Sequence, residues 1–178
     1  MEPMTRPSRV IRVTQTDGEV AALYARACPR LIGLLTCIGG SRGDAEEIAQ
    51  DAFVKLLTRW ERVSAFDDPE AWVRAVAVRM LISRLRRARV ARLGLSRLGG
   101  GTASQPAPGP DRVDVAAALR TLPPKQRAVV VLHHALDLPV ERVAEELNVP
   151  VGTVKSRLAR ARAALAPMLR DEEVVDHA

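Results

Sequence analysis

A segment without charged residues, GGGTASQPAPGP at positions 99–110, divides the chain into two parts. It holds four glycines and three prolines, so it can neither sustain a helix nor pack as a strand. A coil of these twelve residues spans about 20 Å on average and about 40 Å when fully extended. The sequence therefore predicts two domains joined by a flexible linker, which we place at residues 96–111.

Both flanking parts have the pattern of aliphatic helices. Aromatic residues make up only 3% of the 178 residues and hydrophobic residues 47%. The cores of the two parts must therefore consist mainly of Ala, Leu and Val, a composition that favours helices. The sequence shows almost no alternating pattern typical of strands. The predicted fold class is all-α, with two small helical domains of which the C-terminal one is a helix-turn-helix.

The N-terminal domain is predicted at residues 17–95, after a flexible basic leader at residues 1–16. Its first helix should cover residues 19–38, with a kink or a break at Pro29. A third helix should run from about residue 68 to about residue 92. Its predicted core residues recur at spacings of four and three: Ala71, Ala75, Val78, Ile82 and Leu85.

The second helix lies in GDAEEIAQDAFVKLLTRW. Asp44 is a candidate N-cap, with Glu47 three residues later in the capping-box position. The predicted buried stripe of this helix is Ala45, Ile48, Ala49, Ala52 and Leu56.

The cysteines and the hydropathy pattern indicate a cytoplasmic protein. Cys28 and Cys37 are nine residues apart in one helix, about 13 Å, which is too far for a disulfide. We expect two buried thiols in a reducing compartment. No apolar run approaches a membrane span and no signal peptide is recognisable, so membrane insertion is not expected.

The C-terminal domain is predicted at residues 112–170, before an acidic tail at residues 171–178. A helix starting at Pro139 should end at Asn148, and the turn NVP leads into the last long helix. On a helical wheel, one side of this last helix is apolar and should be buried: Val154, Leu158, Ala161 and Leu165.

The opposite side of the last helix is small and bordered by cations, with Lys155, Arg157 and Arg162 at its flanks. Small residues allow close approach to the DNA major groove, polar side chains read base edges, and cations reach phosphates. The net charge of +6 and the pI near 10.3 fit a polyanionic partner. The pattern predicts DNA recognition; an ordinary solvated face is the alternative.

These runs also carry a family resemblance. GTVKSRLARARAAL, with LPPKQRAVVVL and VERVAEELNVP before it, resembles region 4 of the extracytoplasmic-function (ECF) class of bacterial sigma-70 factors. GDAEEIAQDAFVKLLTRW resembles region 2 of the same family. The likeness covers about residues 19–92 and 113–169.

The resemblance implies a sigma factor that binds core RNA polymerase and directs it to promoters. Region 4 would read the −35 element through Thr153, Lys155, Ser156, Arg157 and Arg160. Among these, Ser156 and Arg160 are assigned to base edges, and Lys155 and Arg157 to phosphates. An anti-sigma factor is a possible further partner, and nucleoid association is expected.

Region 2 would read the −10 element and bind the polymerase. The −10 residues implied are Trp72, Arg79, Ser83, Arg86 and Arg87, within an arginine cluster, RLRRARVAR, that should contact the DNA backbone. Arg79 and Ser83 stand where relatives usually carry Asn and then Asp or Asn, so the resemblance implies the −10 binding mode but not the −10 sequence preference. The polymerase-binding residues implied are Glu47, Gln50 and Asp51, beside the apolar Val54 and Leu57.

A helix-turn-helix regulator with an N-terminal sensor or dimerisation domain is the alternative function. The sequence contains no recognisable catalytic constellation, no metal-ligand spacing and no cofactor motif, so we expect neither an enzyme nor a cofactor.

Overall fold

A computed structural model describes the backbone of residues 9–96 and 115–170 and the side chains of residues 17–93 and 115–168. Most of the predicted linker, residues 1–8 and the predicted acidic tail at residues 171–178 lie outside the described residues. The described residues form helices and no strands, which confirms the all-α prediction. The α-helices are α1 (Arg9–Gly39), α2 (Arg42–Leu57), α3 (Trp60–Val63), α4 (Pro69–Ser96), α5 (Val115–Thr121), α6 (Pro124–Val130), α7 (Val140–Leu147) and α8 (Val151–Arg170).

Helix α1 is longer than predicted and passes through Pro29 without a break. It begins at Arg9, inside the segment predicted as a flexible leader, because no proline interrupts residues 9–28. Pro29 lacks the N–H that an interior helical residue donates. The flanking Cys28 and Leu31 are buried in the core formed with α2 and α4, which supports the helix on both sides of the proline.

Helix α2 buries the predicted stripe in full, together with Phe53. The predicted cap is wrong, because the helix begins at Arg42 and its N-cap is Ser41. The Ser41 hydroxyl accepts the backbone N–H of Asp44 at 3.2 Å. Asp44 therefore lies within the first turn, and its carboxylate is available to pair with another helix.

Part of α1, Asp17–Gly39, is long and apolar enough to cross a membrane, with a mean hydropathy of 1.3, contrary to our reading of the sequence. Its apolar residues Leu35 and Ile38 are fully buried against the other helices. Its arginines Arg26 and Arg30 pair with Glu70 of α4. These contacts are those of a core helix in a helical bundle.

The cysteines of α1 differ in their surroundings. Both thiols are free; Cys28 is buried, but Cys37 is exposed. The prediction of two buried thiols is therefore wrong for Cys37, which lies on the side of α1 that faces solvent.

The C-terminal half folds as predicted from its turn signals. Pro124 opens α6, which continues as a π-helical turn at Val131–Ala135. Asn148 ends α7 in the left-handed conformation, with φ of 53°, which asparagine tolerates better than most residues. The backbone N–H of Val149 then bonds the carbonyl of Ala144 at 3.0 Å, and Pro150 precedes α8. This is the predicted helix-turn-helix.

The two halves pack against each other rather than standing apart. Helix α7 packs on α4, and α6 packs beside the end of α1. One hydrophobic core therefore extends through both halves of the chain. The N-terminal half of α4 is also buried beyond its predicted stripe, for example at Val73, Val76 and Ala77. We call this arrangement the closed arrangement.

Candidate nucleic-acid interface

Helix α8 is fixed to the C-terminal half by its apolar side. Val154, Leu158 and Ala161 are buried against α6 and α7, as predicted, and Leu165 is half-buried. Their spacing leaves the opposite side of the helix facing outward. The helix therefore presents one fixed surface to a partner.

The predicted −35 residues differ in exposure along this surface. Lys155 and Arg160 are exposed and have no ion pair or hydrogen bond to the described residues. Ser156 is half-buried, and its hydroxyl donates to the carbonyl of Thr153 at 3.0 Å. Arg157 is also half-buried, and burial lowers the pKa of its guanidinium. Lys155 and Arg160 are thus the most accessible side chains among the five predicted −35 residues.

The predicted polymerase-binding residues form an exposed face on α2. Glu47, Gln50 and Asp51 are all exposed. Val54 and Leu57 continue this face with side chains that are 58% and 46% exposed. Two large apolar side chains are therefore exposed beside three polar ones on this face of α2.

One arginine of the predicted DNA-backbone cluster is engaged elsewhere. Arg84 donates to Glu47 at 2.7 Å and pairs with Asp44 at 2.9 Å. The hydrogen bond to Glu47 raises its pKa, with the charge of Asp44 contributing. Arg84 therefore joins α4 to α2 and is not one of the free cations. Arg86 and Arg87 are exposed and have no such partner among the described residues, and Ser83 is exposed beside them.

The other two predicted −10 residues lie against the helix-turn-helix. Trp72 and Arg79 are half-buried and line a cleft of about 570 Å³ whose far wall includes Arg142 and Glu145 of α7. Arg79 donates to the backbone carbonyl of Glu146 at 3.1 Å. In the closed arrangement, α7 occupies part of the predicted −10 surface.

A buried ion pair that was not predicted from the sequence joins the halves at this point. Arg74 donates through Nε to Glu146 at 3.0 Å and through Nη2 to the second carboxylate oxygen. The Arg74 side chain is 16% exposed and that of Glu146 only 4%. Burial lowers the pKa of Arg74, but the hydrogen bonds and charge of Glu146 outweigh it and raise the pKa overall.

A second charged group between the halves, Arg127 of α6, is also buried. It donates to the carbonyl of Ile38 in α1 at 2.7 Å. It also donates to the carbonyls of Arg120 at 2.9 Å and Leu122 at 3.0 Å. Burial, and then the charge of Arg120, lower its pKa. The only sequence signal for either buried arginine was a cation inside an apolar run, such as Arg74 in AWVRAVAV.

No group of three His, Cys, Asp or Glu side chains within the described part of the chain is arranged to hold a metal. His133 bonds through Nδ1 to the carbonyl of Leu138 at 2.7 Å, which stabilises the segment between α6 and α7.

Family comparisons cover both halves. The model of Sigma-70 region 2 matches residues 23–90, and that of Sigma-70 region 4 matches residues 112–165. The ECF RNA polymerase sigma factor SigW of Bacillus subtilis is 31% identical over 74% of this chain and 79% of its own length. The ECF RNA polymerase sigma factor RpoE of Cereibacter sphaeroides is 30% identical over 86% of this chain and 87% of its own length.

Solved structures agree on the fold. RpoE of Bartonella quintana, in complex with the anti-sigma factor NepR, matches with a TM-score of 0.67 and 24% identity, over 85% of this chain and 97% of that chain. CnrH in complex with the cytosolic domain of CnrY matches with a TM-score of 0.60 and 25% identity, over 90% of this chain and 96% of that chain.

Proposed function

The chain belongs to the ECF class of sigma-70 factors, and from this membership we propose which of its surfaces bind core RNA polymerase and promoter DNA. Sigma factors are transcription initiation factors rather than enzymes, and those of this class act in the cytoplasm. We place this one on the nucleoid, together with the polymerase. The N-terminal half matches region 2 and the C-terminal half matches region 4. These matches favour a sigma factor over a regulator with an N-terminal sensor domain.

The −35 role of α8 is supported above all by its exposed cations. Lys155 and Arg160 project from a helix whose other side is anchored in the core, and no described acidic residue neutralises them. Thr153, Ser156 and Arg157 lie along the same part of the helix and complete the proposed contact set. We assign base recognition to Ser156 and Arg160, and phosphate contacts to Lys155 and Arg157.

We expect Arg160→Ala to reduce discrimination at one upstream base pair by about 1–3 kcal/mol. The reason is that a guanidinium in the major groove reads one base edge, whereas a phosphate contact carries no sequence information. The measurement is the affinity of the holoenzyme for promoters that differ at single positions of the −35 element. Lys155→Ala is the matched control and should weaken all these promoters equally. Equal weakening by Arg160→Ala would move Arg160 to the phosphates.

The face of α2 formed by Glu47, Gln50, Asp51, Val54 and Leu57 is our proposed surface for core polymerase. It combines exposed apolar side chains with polar and charged ones, and protein interfaces likewise have an apolar core with a polar rim.

We expect Asp51→Arg to weaken binding to core polymerase by at least about tenfold, because reversing a charge in an interface adds repulsion to the lost attraction. Asp51 is exposed and makes no ion pair with the described residues, so the fold should tolerate the change. The measurement is core binding by fluorescence anisotropy. Glu61→Arg, at an exposed position of α3, is the control. Unchanged core affinity in the Asp51 variant would remove this residue from the interface.

The proposed −10 role requires the closed arrangement to open. The −35 and −10 elements are about 25 base pairs apart, roughly 85 Å at 3.4 Å per pair. In the closed arrangement α8 packs on α7, and α7 packs on the Trp72 side of α4. Both elements cannot be read while these helices touch. The proposed −10 set, Trp72, Arg79, Ser83, Arg86 and Arg87, would act after opening.

Promoter-dependent transcription tests the function as a whole. The purified chain with core polymerase alone should give run-off transcripts. Transcripts that require another sigma factor would favour the regulator. We also propose an anti-sigma partner, since the similar RpoE structure is a complex with the anti-sigma factor NepR.

A further inference from the structure

A basic cleft lies on the other side of the contact between the two halves, away from α7. Its volume is about 570 Å³, and it is bounded by the end of α4 and by the segment from α5 to α6. Six cationic side chains line it: Arg86, Arg89, Arg92, Arg120, Lys125 and Arg127. No carboxylate lines the described part of the cleft. The first three cations belong to the region 2 half and the others to the region 4 half.

The α4 arginines of this cleft lack the carboxylate partners that neutralise Arg84, which precedes them in the same helix. Arg84 binds two carboxylates of α2. Arg86, Arg89 and Arg92 are exposed and form no ion pair with a described residue, and the same is true of Lys125 on the opposite wall. Like charges gathered in a concave site repel one another and attract anions.

Arg127 gives independent evidence of uncompensated positive charge. It is only 7% exposed, and its Nε has no hydrogen-bond partner in the described part of the chain. Its other donors bind carbonyl oxygens rather than a carboxylate. Burial and the charge of Arg120 both lower its pKa, so its surroundings disfavour the cation it carries. An anion in the cleft would relieve this.

We propose that the cleft is a binding site for a small anion with linked phosphate groups, either an inorganic polyphosphate or a nucleoside polyphosphate. The volume lies within the range of about 300–1,000 Å³ that is typical of small-molecule sites. One guanidinium group can donate two parallel N–H bonds to two phosphate oxygens. Three such groups, those of Arg86, Arg89 and Arg92, lie on the α4 wall and can bind successive phosphates of one chain.

Because the walls come from different halves, such an anion binds only the closed arrangement and raises its population. The resulting inhibition of promoter recognition rests on the proposed −10 role of Trp72 and Arg79. The binding site itself does not rest on that role.

The test is isothermal titration calorimetry of the full chain with inorganic tripolyphosphate, with sulfate at equal ionic strength as the reference. We expect one site that binds tripolyphosphate at least tenfold more tightly than sulfate. Arg89→Gln and Lys125→Gln, on opposite walls, should each weaken binding at least tenfold. Arg62→Gln, an exposed arginine of α3 outside the cleft, is the matched control and should bind as the original chain does.

Two further measurements test whether the site needs both halves and which ligand it binds. Glu146→Ala, which breaks the ion pair between the halves, should also weaken tripolyphosphate binding, because one wall of the cleft moves away. A nucleoside triphosphate that binds more tightly than tripolyphosphate would identify the nucleotide as the ligand, and equal affinity would identify the phosphate chain alone.

The proposal is overturned if tripolyphosphate binds no better than sulfate. It is also overturned if Lys125→Gln leaves the affinity unchanged while a short oligonucleotide competes, because the α4 arginines alone would then be the site. No polymerase is present in these measurements, so failure of the promoter-binding function would leave their outcome unaffected.

Discussion

Glu146→Ala is expected to shift the chain from the closed arrangement to an open one. The substitution leaves the Arg74 guanidinium buried without its carboxylate, which costs about 3–5 kcal/mol. Separation of the halves returns Arg74 to water and removes that cost. A change of this size alters the ratio of open to closed chains by roughly two to nearly four orders of magnitude.

Energy transfer between two dyes measures the opening. One dye is placed on the exposed Cys37 of α1 and the other on Ala159→Cys, at an exposed position of α8, while Cys28 is buried and protected from labelling. Transfer should fall in the Glu146→Ala variant. If it keeps the original value, the ion pair does not hold the halves together.

The neighbouring Glu145 provides a matched control. Its side chain is 67% exposed, and among the described residues it pairs only with Arg142, at 3.1 Å. Exposed pairs contribute at most about 1 kcal/mol, so Glu145→Ala should leave the transfer unchanged. The double variant Arg74→Met, Glu146→Leu should remain closed, since an apolar pair can replace a buried ion pair without loss of stability. Comparison of Glu146→Ala with the double variant distinguishes the effect of an unpaired buried arginine from the effect of losing the ion pair.

The parts of the fold that follow from local periodicity were predicted from the sequence. The stripe of α2 and the apolar side of α8 are buried as expected, because spacing along one helix decides which residues share a side. Asn148 was identified because few residues adopt the left-handed conformation that ends α7.

The contacts between the halves could not be predicted in the same way. Arg74 and Glu146 are 72 residues apart, and nothing in either helix encodes the identity of its partner. The glycine- and proline-rich linker indicated independent domains, since a flexible connection gives no information on whether the domains it joins also pack together. The cap of α2 was misplaced by three residues because Ser41 and Asp44 are both good N-caps.

The exposure of the candidate residues was predicted better than their contacts with other helices. The exposed cations of α8 and the acidic face of α2 are where the sequence placed them. Trp72 and Arg79 are partly covered by α7, which no periodicity could reveal. Arg84 was grouped with free arginines because its partners, Asp44 and Glu47, belong to another helix.

Arg127→Met is expected to lower the free energy of unfolding by about 2–4 kcal/mol. The guanidinium donates to three carbonyls, and a hydrogen bond to a charged group contributes about 1.5–3 kcal/mol. The carbonyl of Ile38 is among the last of α1, which have no partner within their own helix. Burial of the charged guanidinium is itself unfavourable, as its lowered pKa indicates. The methionine variant avoids this cost, so the expected loss of stability is smaller than the sum of three hydrogen bonds.

Urea denaturation measures this change. The variant should unfold at a lower urea concentration, with an unchanged dependence of the free energy of unfolding on urea concentration. Arg127→Lys should destabilise nearly as much, because one ammonium cannot reach carbonyls on both sides of the contact with α1. Lys125→Met, an exposed change in the same helix, is the control for the loss of charge alone. If Arg127→Lys is as stable as the original chain, positive charge is what the site requires. If Arg127→Met is equally stable, the three hydrogen bonds only compensate the burial of the guanidinium.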